Sequence, residues 1–279
     1  MVGEVLPYLA CPHCAADLAL AGGMVRCASG HGFDVAKQGY VNLTPGRVTV
    51  TGDSKAMVAA RADFLAAGHF QPISDAVTAA VTAALRSPGC IADLGAGTGH
   101  YLAAVLDAVP DRHGLALEVA KPALRRAARA HPRIGAIGCD TRHRLPLRDG
   151  AAAVALTVFA PRNAAETHRV LDPAGALVVV SPTEAHLREL VPALDLLTVD
   201  PDKGRRLADG LAPRFELSTQ DKVEFAMSLS RNEVELLVAM GPSAWHIGQE
   251  ALRERVRTLS EPVGVTASVL VSTFHGRSG

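Results

Sequence analysis

From residue 90 onward, short apolar runs alternate with stretches of helical period. Ile91-Ala92-Asp93-Leu94 runs into glycines at 95, 97 and 99, and Tyr101 to Leu106 then reads as a helix. Gly114 to Glu118 is a second strand, Lys121 to His131 a helix, and Ile134 to Ile137 a third strand. Ala151 to Phe159 is a fourth strand. A turn over Leu171 to Ala176 leads to a fifth, Leu177 to Val180, and Pro182 to Leu187 opens a helix. These strands are apolar at nearly every position, the pattern of parallel strands buried on both faces. Strand and helix in alternation predict an α/β, doubly wound, Rossmann-like domain. Phe215 to Leu229 alternates as a hairpin turning near Gln220-Asp221, Asn232 to Met240 reads as a helix, and Thr266 to Phe274 as a last, antiparallel strand. The expected total is a seven-stranded sheet.

Upstream, Gly46 to Ser54 is polar and broken by glycine, so it reads as a loop. Asp53 or Ser54 then offers an N-cap to a helix through Leu65, with Met57, Ala60, Phe64 and Arg61 along one face. Ile73 to Leu85 is a second helix. Near the start, Asp17 to Leu20 and Met24 to Arg26 flank Ala21-Gly22-Gly23 as a β-hairpin. The division expected is a small module over 1–45, a helical bridge over 46–89 and the α/β domain over 90–279.

Composition narrows the class. The chain has 279 residues, 48% apolar and 20% charged, with formal net charge zero. That is ordinary for a globular protein, and any electrostatic case for nucleic acid must be local. One stretch makes such a case: Lys121, Arg125, Arg126, Arg129, Arg133, Arg142, Arg144 and Arg148 face a single acid, Asp140, between 121 and 148. A solvated basic face is the plainer reading of the same residues. The five cysteines do not form a disulfide framework. There is neither a leader pattern nor an apolar run near membrane length, so a cytoplasmic protein without membrane contact is expected.

Two constellations carry chemistry. Cys11, Cys14, Cys27 and His31 follow the pattern C-x2-C-x12-C-x3-H. Two knuckles of this kind close a tetrahedron around zinc, and four protein ligands make the metal structural. His13 competes with His31 as fourth ligand, but lies inside the first knuckle. The second constellation is the turn Asp93 to Gly99, spaced G-x-G-x-G, with Thr98 before its last glycine. Glu118 ends the next strand, 25 positions after Asp93, where a carboxylate accepts both hydroxyls of an unphosphorylated ribose. Asp140, at the end of the third strand, is a candidate for an adenine amino group, and Cys139 beside it reads as a small buried residue. Phe159-Ala160-Pro161-Arg162-Asn163 closes the fourth strand. Phe159 suits stacking on an extruded base, or packing, and Arg162 and Asn163 suit contacts to its oxygen and ring edge. No general base is assigned. Trp245 reads as a substrate wall or a packed anchor.

The glycine turn preceded by its acid resembles motif I of methyltransferases that use S-adenosylmethionine (SAM). Such enzymes hold the target base at the loop closing the fourth strand, so by this resemblance Phe159, Arg162 and Asn163 are the candidates near the reacting atoms. The resemblance sharpens with CPHC, C-x2-GH-x-FD-x-A-x-QGYVNL (Cys27 to Leu43), GHF, PLRDG, FAPRN and MGPSAWH, which are similar to the RlmA family of 23S rRNA (guanine-N1)-methyltransferases, RlmA-II branch, over nearly the whole chain. It implies a class I SAM-dependent methyltransferase with a zinc ribbon that helps to recognise RNA. It places the zinc ligands on Cys11, Cys14, Cys27 and His31. It implies SAM contacts at Phe70, after Gly68-His69, and at His186, in P-x-x-x-H-L. Phe70 keeps the ring but not the hydroxyl of the tyrosine common there. The implied substrate is a guanine in a 23S rRNA hairpin near the exit tunnel, with a link to resistance to tylosin- or mycinamicin-type macrolides, and a homodimer is common in the family. Two other readings stay open: a SAM methyltransferase of a small natural product, and a non-enzymatic zinc-ribbon RNA-binding protein.

Overall fold

The structure, a computed structural model, describes residues 2–46, 52–196 and 203–277. Much of the loop expected over Gly46 to Ser54 lies outside them, as does the side chain of Trp245. The amino-terminal part holds α1 (Val2–Val5), a 3-10 turn over Leu6–Tyr8, β1 (Leu18–Ala21), β2 (Met24–Cys27), β3 (Gly32–Asp34) and β4 (Val41–Asn42). β1, β2 and β3 form an antiparallel sheet, and the turn between β1 and β2 is Gly22-Gly23, both at positive φ. That is the geometry a two-residue hairpin requires.

Before β5 come α2 (Lys55–Ala66) and α3 (Gln71–Ala84). Ser54 caps α2, its side chain accepting from the Met57 N–H at 3.2 Å. Met57, Ala60 and Phe64 are buried on the expected face.

The rest supplies β5 (Cys90–Leu94), α4 (His100–Ala108), β6 (Gly114–Glu118), α5 (Lys121–Ala130), β7 (Ile134–Gly138), β8 (Ala152–Val158), α6 (Ala164–Val170), β9 (Leu171–Pro182), α7 (Leu190–Leu194), α8 (Lys203–Leu211), β10 (Phe215–Leu229), α9 (Arg231–Ala239), α10 (Gln249–Arg257) and β11 (Val263–Gly276). The large sheet runs β10-β11-β9-β8-β5-β6-β7-β4. β9, β8, β5, β6 and β7 are parallel, and β10 and β11 antiparallel, which makes the seven expected strands. The order reverses between β5 and β8, so a crevice opens there at the carboxyl ends of the strands.

An eighth strand was not foreseen. Val41 and Asn42 pair in parallel with Ile137 and Gly138, and the Leu43 N–H donates to the Gly138 carbonyl at 2.8 Å. The amino-terminal module therefore adds to the sheet's own edge. Val2, Val5, Leu6 and Leu9 are also buried in the core on one sheet face, while α2, α3 and α4 cover the other. Full burial of side chains of this size stabilises by about 1.5–3 kcal/mol each.

Two other expectations are corrected. Phe215–Leu229 is one continuous strand against β11 and not a hairpin. Gln220 and Asp221 lack the positive φ of a tight turn, and Gln220 instead donates to the Ser272 Oγ at 3.0 Å. After Pro182 there is no helix up to Leu187. Leu187 sits at φ +58, its N–H donates to the Thr266 carbonyl at 2.8 Å, and α7 begins only at Leu190.

Candidate functional site

The sulfurs of Cys11, Cys14 and Cys27 and a ring nitrogen of His31 all lie within 4.8 Å of one another. His31 Nδ1 is 3.3 Å from the Cys27 Sγ and 3.6 Å from the Cys11 Sγ, and Cys14 Sγ is 3.7 Å from Cys27 Sγ. These edges suit a tetrahedron with zinc–sulfur bonds near 2.3 Å. The knuckles are held by backbone: Cys11 N–H to the Ala16 carbonyl at 2.9 Å, Cys27 N–H to the His31 carbonyl at 3.1 Å. His13 stays outside the set, its ring stacked on Phe33 at 5.9 Å.

In the second constellation, Gly95, Gly97 and Gly99 have φ of +86°, +55° and +79°. A Cβ on Gly95 would lie 2.6 Å from the Ala160 Cβ, so the glycine is also what lets the end of β8 approach the turn. Glu118 is central. One carboxylate oxygen accepts the Gly97 N–H at 2.9 Å; the other accepts Val119 and Ala120 N–H at 2.8 Å each. It thus ties β6 to the glycine turn and keeps lone pairs for a further donor. Asp93 is buried under the turn, and its Oδ1 has no partner. Burial first, and the Glu118 charge second, push its carboxyl up to about 8. Thr98 is buried in the turn.

Asp140 follows β7 and is held by Arg142, at 2.9 Å and 3.0 Å, and by His143 Nδ1 at 3.1 Å. The Arg142 hydrogen bonds hold its carboxyl below the usual range. A cleft past the end of β6 is lined by Asn42, Gly52, Asp53, Val119, Ala120 and Lys121.

Past β8, Phe159 stands at φ +54 and is 43% exposed, an unusual pairing of strain and exposure for an aromatic. Its ring lies 5.9 Å from that of His186 at 29°. The His186 Nδ1 accepts the Ser268 N–H at 3.2 Å. Phe70 is 2% exposed, edge-on to Phe64 at 5.1 Å and 6.2 Å from His186. Phe70, His186 and Phe159 therefore form one aromatic wall. Arg162 is half-buried without a hydrogen-bond or ion-pair partner among the described residues, and burial lowers its pKa. Asn163 is engaged at both ends of its amide: Oδ1 caps α6 by accepting the Glu166 N–H at 3.2 Å, and Nδ2 donates to the Arg142 carbonyl at 2.9 Å.

One residue was noted in the sequence only as part of a helix face. Arg61 lies against the glycine turn, bonded to Asp53 and, at 2.7 Å, to the Met240 carbonyl. Its signal was a cation in line with the buried Met57, Ala60 and Phe64.

Against this geometry stand the known proteins. The chain is 52% identical over 98% of its length to a Micromonospora griseorubida protein, itself 98% covered, named as a 23S rRNA (guanine-N(1)-)-methyltransferase. It belongs to the RlmA family of 23S rRNA (guanine-N1)-methyltransferases. A Streptomyces fradiae relative, the 23S rRNA (guanine(748)-N(1))-methyltransferase, is 49% identical over 95% of this chain and 96% of its own. The model of the RlmA amino-terminal zinc ribbon matches residues 9–48, a span that contains all four ligands and β4. Solved structures agree on the fold. The complex of the Haloferax volcanii Trm112 methyltransferase activator with a methyltransferase includes a chain that aligns at TM-score 0.54 and 15% identity, over 82% of this chain and 100% of its own. The MccD protein aligns at 0.50 and 13%, over 72% and 96%. The RlmA-family chain thus joins a zinc ribbon to the class I fold of SAM-dependent methyltransferases.

That assignment bears on the basic stretch. Three of its arginines are engaged in bonds within the fold. Arg133 donates to the carbonyls of Leu106, Val109 and Arg112, Arg142 holds Asp140, and Arg148 bonds Asp17 at 2.8 Å and the Leu9 carbonyl at 3.1 Å. Lys121, Arg125, Arg126, Arg129 and Arg144 remain exposed to solvent. Among the described residues no helix is long and apolar enough to cross a membrane.

Proposed function

We propose that this RlmA-family chain methylates N1 of a guanine in a 23S rRNA hairpin, the position for which the Streptomyces fradiae relative is named. The observation that carries the reading is the end of β8. Phe159 offers an exposed ring in a strained backbone, and Arg162 brings an unpaired guanidinium to the same loop, beside the glycine turn. A base taken out of its stack would lie on Phe159, with Arg162 facing its oxygen. Asn163 shapes the loop through its cap on α6.

Asp93, Gly95, Gly97, Thr98, Gly99, Glu118, Asp140, Phe70 and His186 form the SAM site in this reading. Glu118 accepts the ribose hydroxyls, Asp140 faces the adenine edge, and the wall of Phe70 and His186 backs the methionine end. SAM supplies an electrophilic methyl on a sulfonium. The guanine N1 lone pair takes the methyl, the carbon–sulfur electrons stay on sulfur, and the N1 proton leaves to an acceptor. Donors that favour charge on the guanine oxygen, Arg162 among them, ease that loss. Positioning supplies most of the remainder.

The module over 1–45 would take the hairpin together with Lys121, Arg125, Arg126 and Arg129, as phosphate contacts. The bridge over 46–89 and the domain over 90–279 would close the cofactor site. A cytoplasmic homodimer and a role in macrolide resistance complete the reading. The test is methyl transfer from labelled SAM to protein-free 23S rRNA, mapped by primer extension. A single reverse-transcriptase stop at one hairpin guanine supports it. Clear SAM binding without incorporation into RNA refutes it and turns the search to small-molecule acceptors.

A further inference from the structure

The glycine turn is acidic where a zwitterionic cofactor would need both signs. Asp93 lies beneath it and Glu118 beside it. The methionine end of SAM carries an α-carboxylate that the Glu118 charge would repel, and the Asp93 carboxyl, held protonated by burial, offers it no countercharge. The nearest answer comes from outside the α/β domain. Arg61 on α2 brings its Nη1 to 3.4 Å from the place a Cβ on Gly97 would take, and its Cδ to 3.8 Å. It is the same Gly97 whose N–H is held by Glu118.

The guanidinium is fixed on two sides. Nη1 bonds the Asp53 carboxylate, and Nη2 donates to the Met240 carbonyl at 2.7 Å. The Arg61 and Asp53 side chains are 26% and 25% exposed, so the pair is sheltered yet reachable. Two of the five N–H donors of the guanidinium are used in these bonds, and three stay available. Asp53 keeps its second carboxylate oxygen. An arginine and an aspartate side by side are the charge complement of an amino-acid zwitterion.

We propose that Arg61 and Asp53 form the methionine subsite of the cofactor cleft, Arg61 holding the α-carboxylate and Asp53 the α-ammonium. The proposal rests on the reading of the glycine turn as the SAM site. It also makes the bridge helix part of the cofactor site, and the Met240 carbonyl fixes the guanidinium from the far wall. A planar fork already held through both of its Nη atoms loses little entropy on taking a carboxylate.

The test is calorimetry with SAM and with decarboxylated SAM, which keeps the ammonium and lacks the carboxylate. The wild-type protein is expected to bind SAM about tenfold to a hundredfold more tightly than the decarboxylated form. Arg61→Ala is expected to lose that same factor for SAM and to bind the decarboxylated form within about twofold of wild type. Asp53→Asn is expected to weaken both ligands alike. Equal affinity of the wild type for the two ligands overturns the proposal without any variant. An Arg61→Ala protein that keeps its full preference for SAM overturns it too. A wild-type protein that binds neither ligand instead refutes the underlying reading of the glycine turn.

Discussion

Asp93→Asn gives a direct measure of how the glycine turn is built. Asp93 is 2% exposed, with one carboxylate oxygen unpartnered and Glu118 close by. Its folded pKa is therefore raised, to about 8, from an ordinary value near 4. Between those values the folded chain holds a proton that the unfolded chain has released. The stability this provides is complete below about pH 4 and is lost as pH rises through about 8. Each pH unit between the two values then costs somewhat more than about 1 kcal/mol, so from pH 5 to pH 7 Asp93 alone lowers stability by roughly 3 kcal/mol. Asparagine has the shape of the protonated acid and cannot ionise. Urea unfolding of both proteins at pH 5, 6 and 7 should give curves that diverge, the variant gaining roughly 3 kcal/mol on wild type across the range. Zinc ligation and every other titration are shared, so they cancel in the difference. Parallel pH dependence in the two proteins would refute the argument, because it would mean that Asp93 is ionised in the fold at neutral pH.

Three further outcomes follow from the geometry. Gly95→Ala puts a Cβ at φ +86, 2.6 Å from the Ala160 Cβ, and should cost at least about 1–2 kcal/mol and most of the SAM affinity; calorimetry showing unchanged binding would sink it. Phe159→Ala removes an exposed ring, so kcat/KM on RNA should fall about tenfold to a hundredfold while S-adenosylhomocysteine binds within about twofold of wild type; equal losses in both would mean the ring only packs. Cys27→Ser should abolish stoichiometric zinc in elemental analysis and lower the thermal midpoint, since an apparent binding energy of about 10–16 kcal/mol is typical of such sites; full zinc retention would remove Cys27 from the ligand set.

What the sequence disclosed was whatever is written in local spacing. The zinc ligands and the glycine turn each lie in one short stretch, and the parallel strands announce themselves as apolar runs. What it hid depended on distant partners. Phe215–Leu229 alternates like a hairpin because one of its faces is solvated, yet its partner is Val263–Gly276, far along the chain. Val41–Asn42 is too short to have a period, and it becomes a strand of the large sheet through Ile137 and Gly138, far along the chain. The basic stretch looked uniform because charge says nothing of direction: Arg133 turns inward to cap carbonyls, while Arg125 and Arg126 face water. Asn163 fits a base contact by residue type, and its amide is spent on α6 and Arg142.

The pairing of β4 with β7 has a consequence for handling the protein. β7 is Ile134-Gly135-Ala136-Ile137-Gly138, uncharged and wholly buried, and β4 covers the carboxyl end of its open edge. Naked edges of that composition recruit one another between molecules. β4 is therefore a guard against aggregation, and a metal that orders the ribbon just ahead of it would help to keep it in place. Prolonged chelation should turn a clear solution cloudy in proportion to protein concentration, and restoring zinc before clouding should prevent it.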